Sequence, residues 1–388
     1  MSFKSTIFSQ VLQQINRYDF KNQVSKCNGD HKTHIFSCFS LLATLMFAQL
    51  RSKKSLREVE TSLNLIQSSF YHLGIKKVRR SSLSDALKAR PHQVFEEYFY
   101  SLVDKLDKKA YKRFKRKLKS LDASTISFCL NNFKWAKYKS TKAGIKLHVL
   151  LDNDLFAPVQ VLITNAVLHD IEPVKEGITF YENEMYVFDR GYNDYSFWQK
   201  INTGKAFFTT RLKKNANIEV VENRNITNKE KISGVIADQM VRLSGTNAHE
   251  YKEKLRMVSY HCSKTNKDFR FVTNCTDVSA LEIANIYKDR WQIELFFKWI
   301  KQHLKVTKVL STSENGVKTQ IWIALITYLL ILKIKTTLTQ SDYSILEILR
   351  RIGDCLDKRI NIFELLSIKF QQIKPDYTEL TLFEGIKF

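Results

Sequence analysis

The chain has 388 residues, of which 44% are apolar and 26% are charged, and this length is ample for two or three packed domains. The charged content argues against a protein that lies mainly inside a membrane. Lys and Arg number 62 against 39 Asp and Glu, and the net charge of +23 points to a polyanionic partner such as nucleic acid.

The first 118 residues show no strand-like alternation and predict a helical, basic, DNA-binding region. Residues 1–120 carry 24 Lys and Arg against nine Asp and Glu, a net charge of +15. Eight of the twelve residues from 108 to 119 are basic, and aromatic side chains are interleaved with them. Residues 56–66 and 84–106 are predicted to be helices, but the pattern does not identify a recognition helix.

Three further features predict a cytoplasmic protein without a membrane span. The longest apolar runs, residues 35–48 and 321–332, are shorter than a confident membrane span and suit buried helices. The six cysteines show no paired spacing, which is typical of reduced thiols. The N-terminus lacks the apolar core and cleavage site of a secretion signal.

From residue 119 onwards the pattern changes to short β-branched and aromatic runs separated by turn residues. Predicted strands cover residues 125–130, 146–152, 157–164 and 184–189, and a helix follows near 195–201. A second β-rich stretch begins with AFFTTRL (206–212) and ends near residue 274, and a helix capped by Ser279 comes next. We expect an α/β core from residues 119–200 and 279–340, a β-rich insertion at 201–278 and a helical C-terminal region at 341–388.

The stretch YKDRWQIELFFKWIKQHLKV, residues 287–306, is predicted to be one amphipathic helix. At about 100° per residue, one arc of about 80° holds the polar side chains of Tyr287, Arg290, Glu294, Lys298, Lys301 and Lys305. A separate arc of about 100° holds the apolar side chains of Ile286, Ile293, Phe296, Phe297, Ile300 and Leu304. An ordinary surface helix with a Glu294–Lys298 pair fits the same pattern, so this stretch alone leaves two interpretations open.

Two aspartates are candidate partners for Glu294. Asp122 lies at the start of the first predicted strand, and Asp189 follows an apolar strand and precedes a glycine turn. The rival acids in turns are Asp152, Asp154 and Asp170, and each aspartate taken singly could be a turn or cap residue. Three convergent carboxylates would hold hard divalent cations, typically Mg²⁺, which activate a water or a 3′-hydroxyl for phosphodiester cleavage. The surrounding Lys and Arg, among them Arg190 and Lys298, would bind DNA phosphates.

The spacing of Tyr287, Arg290, Glu294 and Lys301 resembles the Y-R-E-K signature of insertion-sequence transposases of the IS-four family, a branch of the DDE transposases. LDAST at 121–125 resembles the first Asp motif of that family, and DRGY at 189–192 resembles its second. The similarity covers roughly residues 119–310. It implies a ribonuclease H-like catalytic core in which Asp122, Asp189 and Glu294 are the catalytic and metal-binding triad for two Mg²⁺ ions, for which Mn²⁺ can substitute.

The same resemblance implies a DNA transposase that cuts and pastes an insertion sequence at its terminal inverted repeats through a hairpin intermediate. Tyr287, Arg290 and Lys301 would contact DNA phosphates near that hairpin. A synaptic homodimer is expected, because two DNA ends must be held together, and the expected location is the bacterial cytoplasm on the nucleoid. Two alternatives stay open: a metal-dependent nuclease with the same core, and a catalytically inactive DNA-binding derivative.

Overall fold

A computed structural model describes residues 5–33, 36–66, 77–106, 114–140, 142–213, 215–303, 309–337 and 343–367. The strands are β1 Leu118–Cys129, β2 Lys137–Lys139, β3 Lys142–Asp152, β4 Ala157–Asn165, β5 Met185–Phe188, β6 Phe207–Arg211, β7 Ile218–Asn223, β8 Val235–Leu243, β9 Leu255–Cys262 and β10 Lys267–Thr273. The helices before β1 are α1 Ile7–Leu12, α2 Arg17–Lys26, α3 Cys38–Leu50, α4 Leu56–Leu65, α5 Arg80–Ala89 and α6 Gln93–Val103. The later helices are α7 Ile171–Gly177, α8 Tyr195–Thr203, α9 Asn228–Ile232, α10 Ala280–Asp289, α11 Trp291–His303, α12 Glu314–Thr337, α13 Ile345–Asp354 and α14 Ile362–Ser367.

The ten described strands form one mixed sheet. Its order is β2-β3-β1-β5-β6-β10-β9-β8-β7. β4 also pairs with β3, on the edge of β3 that faces away from β1. β1, β3 and β4 pair antiparallel, whereas β1, β5 and β6 run parallel. This mixed sheet, flanked by helices, fits the ribonuclease H-like fold of a transposase.

The β-rich stretch after β6 continues the same sheet. β10 pairs antiparallel with β6, and β9, β8 and β7 follow as an antiparallel ribbon. A buried ion pair ties this ribbon to the helix that follows it, because Arg256 donates two hydrogen bonds of 2.8–2.9 Å to Asp238 and a third of 2.6 Å to the carbonyl of Val278. The insertion therefore supports the start of α10 directly.

The N-terminal helices share a hydrophobic core with α12 and with the outer strands of the sheet. α3 and α12 are joined by polar contacts as well, because the side-chain amide of Gln49 donates to the carbonyl of Gln320 at 3.1 Å and accepts from Thr327 at 2.9 Å. Within the described residues, the apolar runs at 35–48 and 321–332 thus lie mainly in the buried helices α3 and α12, and residue 35 is outside the described ranges. By length and composition α12 could cross a membrane, but 89% of its most apolar window is buried inside this protein, which is typical of a core helix.

One predicted helix is divided in two. Residues 84–106 were expected to be continuous, but α5 ends at Ala89 and α6 begins at Gln93. Pro91 explains the break, because proline disfavours the helical conformation of the residue before it, and Arg90 has ψ 124°.

Several predictions concern residues outside the described ranges. They include the first part of the basic run at 108–119, the positions of Leu304 and Lys305, and the end of the C-terminal region beyond residue 367.

Candidate active site

Asp122 and Asp189 lie side by side on neighbouring parallel strands. Leu121 of β1 pairs with Phe188 at the end of β5, so the aspartate that follows each residue reaches the same edge of the sheet. Ends of adjacent parallel strands are a common location for functional side chains, because the backbone holds them close together. The two predicted aspartates are therefore brought together by strand register.

The turn after β5 fixes the carboxylate of Asp189. Its Oδ1 accepts a hydrogen bond of 2.8 Å from the backbone N–H of Gly191, and Thr210 donates to the Asp189 carbonyl at 3.1 Å. A Cβ at position 191 would lie 2.8 Å from that same Oδ1, so a larger residue there would displace the carboxylate from this contact. This is the physical reason for a glycine two residues after the aspartate.

Glu294 joins this group through Arg290. The predicted single helix is divided at Arg290 into α10 and α11, although Arg290 itself keeps helical angles (φ −51°, ψ −32°). Its guanidinium lies 2.6 Å from Oε1 of Glu294 and 3.6 Å from Oδ2 of Asp122. One cation therefore lies between the acid of α11 and the acid of β1.

The electrostatics of the group are dominated by the burial of Asp122, whose side chain is 23% exposed. Burial raises the pKa of Asp122 from 3.8 to about 7. The charge of Arg290 and the N–H of Ala123 oppose this rise, while the negative charges of Asp189 and Glu294 add to it. All three predicted carboxylates thus interact electrostatically at one place.

Tyr287 lies at the edge of the same group. Its ring packs against Phe271 with 4.7 Å between centroids, and burial raises the pKa of its hydroxyl. The charges of Arg290 and Arg211 lower that pKa and the charge of Asp189 raises it, so the phenol is close to all three. The structure thus places Tyr287 and Arg290 beside the acids.

The other predicted cations are more peripheral. Lys298 is exposed on α11, and Lys301 is half-buried, which lowers the pKa of its amine. Arg190 is exposed in the short turn after Asp189. Among the described residues, none of these three cations forms an ion pair with Asp122, Asp189 or Glu294.

Two of the rival acids, Asp170 and Asp152, are bound by other groups. Asp170 forms an ion pair of 2.7 Å with Lys146. Asp152 accepts the backbone N–H groups of Asp154 and Leu155 in the turn between β3 and β4. These contacts are typical of turn and surface aspartates, as the alternative interpretation expected.

Arg211 is a candidate residue that the sequence analysis did not single out. It ends β6, and since Phe188 pairs with Thr210, it lies one position further along, next to Asp189. Its guanidinium lies 4.7 Å from the centre of the Phe269 ring, and among the described residues it has no carboxylate partner. The sequence places Arg211 at the end of the strand FFTTR, as it places Asp189 at the end of EMYVFD. Only the parallel pairing of β5 with β6 shows that the two strand ends are neighbours.

The oxygen donors of Asp122, Asp189 and Glu294 are of the type that hard divalent cations prefer. As the side chains lie, no three His, Cys, Asp or Glu within the described part of the chain stand together as a ready-made ligand set. Arg290 supplies the positive charge between Asp122 and Glu294. The donor chemistry of the three carboxylates therefore fits a metal site. In this structure the positive charge beside them is that of Arg290.

Comparison with known proteins gives the family. Residues 113–330, more than half of the chain, match the model described as "Transposase DDE domain", and residues 3–76 match a domain of unknown function (DUF4372). The transposase y4zB of Sinorhizobium fredii is 34% identical over 72% of this chain and 78% of its own length. The transposase of element IS5377 of Geobacillus stearothermophilus is 28% identical over 66% of this chain and 68% of its own. The IS4SA transposase of Synechocystis is 27% identical, over 83% and 91%.

A solved structure, the piggyBac transposase synaptic complex with hairpin DNA, covers 92% of this chain and 80% of its own chain, with 9% identity. Its TM-score of 0.48 is too low to support an inference about fold or activity. The family match and the sequence relatives are sufficient on their own to assign the chain to its family. The DDE domain implies a divalent metal cofactor in general, and DNA as the partner. The chain belongs to the DDE transposases of insertion sequences, and it is an enzyme that acts on DNA.

Proposed function

We propose that this transposase cuts the terminal inverted repeats of an insertion sequence with Asp122, Asp189 and Glu294 as its metal-binding catalytic residues. The observation that carries the proposal is the geometry of the three acids, since strand register places Asp122 beside Asp189 and the guanidinium of Arg290 lies between Asp122 and Glu294. Two Mg²⁺ ions are the proposed cofactor, with Mn²⁺ as a substitute. When bound, such ions activate a water or a 3′-hydroxyl and stabilise the leaving oxygen.

The chain's own cations would hold the DNA in this site. Arg290 is proposed to turn from the acids to a phosphate as DNA arrives, because a guanidinium binds phosphate as readily as carboxylate. Arg211 would clamp a second phosphate from the other side of Asp189, with Phe269 supporting its guanidinium. Tyr287 would donate a hydrogen bond or stack on an unpaired base.

Cations further along α11 and beside Asp189 would extend this interface. Lys298 and Lys301 follow Glu294 by one and two turns of α11, and Arg190 follows Asp189 directly. Each would act on the phosphates that flank the cut, as a point charge in the case of the lysines. These contacts position the strand and carry no sequence information.

The proposed pathway is cut-and-paste transposition through a hairpin. A first strand is nicked by water, the freed 3′-hydroxyl attacks the opposite strand, and the hairpin is reopened before strand transfer. The basic region 1–118 is proposed to bind the element end, and a homodimer is proposed to hold two ends together, with the helical region from residue 341 as a candidate interface. The site of action would be the cytoplasm, on the nucleoid.

The test uses purified protein and a duplex that carries the element's own end. Strand cleavage is followed with Mg²⁺, with EDTA and with Glu294→Gln, and Asp170→Asn is the matched control because it removes the rival carboxylate. We expect metal-dependent nicking to a 3′-hydroxyl and then a hairpin, reduced at least about 100-fold in Glu294→Gln and retained in Asp170→Asn.

Other outcomes would redirect the assignment. Cleavage that survives Glu294→Gln but is lost in Asp170→Asn would mean that the third carboxylate is wrongly chosen. Nicking without any joining of the 3′-hydroxyl to DNA would favour the nuclease. Binding of the end without cleavage by the unaltered protein would favour an inactive derivative.

A further inference from the structure

A set of lysines outside the candidate active site has no acidic counterpart. Residues 123–151 contain five lysines and no Asp or Glu. Lys146 is paired with Asp170. The other four, Lys134, Lys137, Lys139 and Lys142, are exposed, and none has a carboxylate partner in the described part of the chain. Residues 130–140 together with Lys142 are called the lysine hairpin below.

The lysine hairpin projects beyond the edge of the sheet where the catalytic acids lie. β1 pairs with β5 only as far as Leu121, but it pairs with β3 as far as Cys129. Residues 123–129 therefore continue past Asp122 as part of a ribbon. At about 3.3 Å per residue, seven residues carry its end about 23 Å from the catalytic edge, which is the length of about seven base pairs of duplex.

The hairpin is held in place by packing. Phe128 and Phe133 stack with 4.7 Å between ring centroids, and the indole N–H of Trp135 donates to the carbonyl of Thr312 at 2.8 Å. A Cβ at Gly144 would meet the Tyr138 ring at 3.0 Å and the carbonyl of Ile126 at 2.9 Å, so this glycine lets the β2 segment lie against the ribbon. The lysines are therefore presented on a rigid support.

The chemistry of this surface is that of a phosphate interface. Four unpaired positive charges are accompanied by the hydroxyls of Ser127 and Tyr138, whose oxygens are 3.2 Å apart. Lys, Ser and Tyr side chains are typical contacts to the DNA backbone. A duplex that enters the catalytic edge is the polyanion that the chain is known to act on, and the ribbon projects from that same edge.

We propose that the lysine hairpin binds the backbone of the duplex being cut, about seven base pairs from the scissile phosphate. This inference rests on the proposed function, because it takes Asp122 and Asp189 as the place of cleavage. The contact is independent of sequence, and it holds the duplex in line with the active site.

The test measures the affinity for an end duplex by fluorescence anisotropy in EDTA over a range of salt concentrations. The variant replaces the four lysines of the hairpin with Gln. The charge-matched control replaces four other exposed lysines, which are Lys229, Lys231, Lys252 and Lys254. Duplexes that end four or twelve base pairs from the cleavage site, on each side, supply the second comparison.

We expect the hairpin variant to bind the long duplex at least about tenfold more weakly, with a salt slope reduced by up to about 3.6, or about 0.9 for each lysine on a phosphate. On one side of the cleavage site, shortening the duplex to four base pairs should remove the difference between variant and unaltered protein. The control variant should keep a length dependence like that of the unaltered protein. Circular dichroism and the melting temperature should be unchanged, because all four side chains are exposed.

Three results would overturn the proposal. The first is equal affinity and salt slope for variant and unaltered protein on the long duplex. The second is normal end binding with a loss confined to strand transfer, which would assign the hairpin to target DNA. The third is a changed oligomeric state with unchanged DNA affinity, which would assign it to a protein partner. Since binding is measured in EDTA, a protein that binds but never cuts would refute the catalytic assignment and still report on the hairpin.

Discussion

Replacing Asp122 with Asn should stabilise the metal-free protein at alkaline pH while it abolishes cleavage. The carboxyl of Asp122 is 23% exposed, and burial raises its pKa from 3.8 to about 7. A rise in the pKa from 3.8 to about 7 corresponds to about 4 kcal/mol of unfavourable free energy for the ionised form in the folded protein. Asn keeps the size of the side chain and can still accept the N–H of Ala123, but it carries no charge.

The sign of the pH dependence follows from the raised pKa. Well below pH 3.8 the carboxyl of Asp122 is protonated in both folded and unfolded chains, so its burial has no electrostatic cost there. As the pH rises towards 7 the unfolded chain releases this proton first, and the folded state loses stability. The free energy of unfolding of Asp122→Asn should therefore exceed that of the unaltered protein by about 1 kcal/mol at pH 4.5 and by up to about 4 kcal/mol at pH 8.

The assay is urea denaturation in EDTA at the two pH values, with the exposed Asp85→Asn as a control that should leave stability unchanged. In a second series with Mg²⁺, the unaltered protein should gain stability and Asp122→Asn should gain much less, because only the former keeps the full ligand set. A variant that is no more stable than the unaltered protein at pH 8, or equally stabilised at both pH values, would refute the reasoning.

Two further predictions concern arginines. Arg211→Gln should lower the cleavage rate at least about tenfold and cost less than about 1 kcal/mol of stability, since it removes a cation–π contact with Phe269. Kinetics on the end duplex check the rate and a melting curve checks the stability, and an unchanged rate would remove Arg211 from the site. Arg256→Met should cost about 3–5 kcal/mol in urea denaturation, because it leaves the buried Asp238 charged without its main partner. The double variant with Asp238→Leu should recover most of that loss, and a single variant that costs under about 1 kcal/mol would contradict this account.

The sequence by itself determined the chemistry and most of the elements. Runs such as EMYVFD and the turn DRGY are local patterns, because alternation, turn residues and caps act over a few neighbouring residues. The apolar arc of residues 286–300 is buried as the helical period predicts. The resemblance to the IS-four transposases also depended on spacing along the chain. The role of Glu294 remains a prediction for experiment.

The tertiary structure decided what depends on strand order and register. No local pattern states that β6 lies beside β5, so the position of Arg211 next to Asp189 became evident only in the folded chain. The placement of Arg290 between Asp122 and Glu294 likewise needs a contact between α11 and β1, which are far apart in sequence. The projection of the lysine hairpin depends on where the pairing of β1 with β5 stops. Such facts follow from pairing between distant segments, whereas propensity and periodicity report only on neighbours.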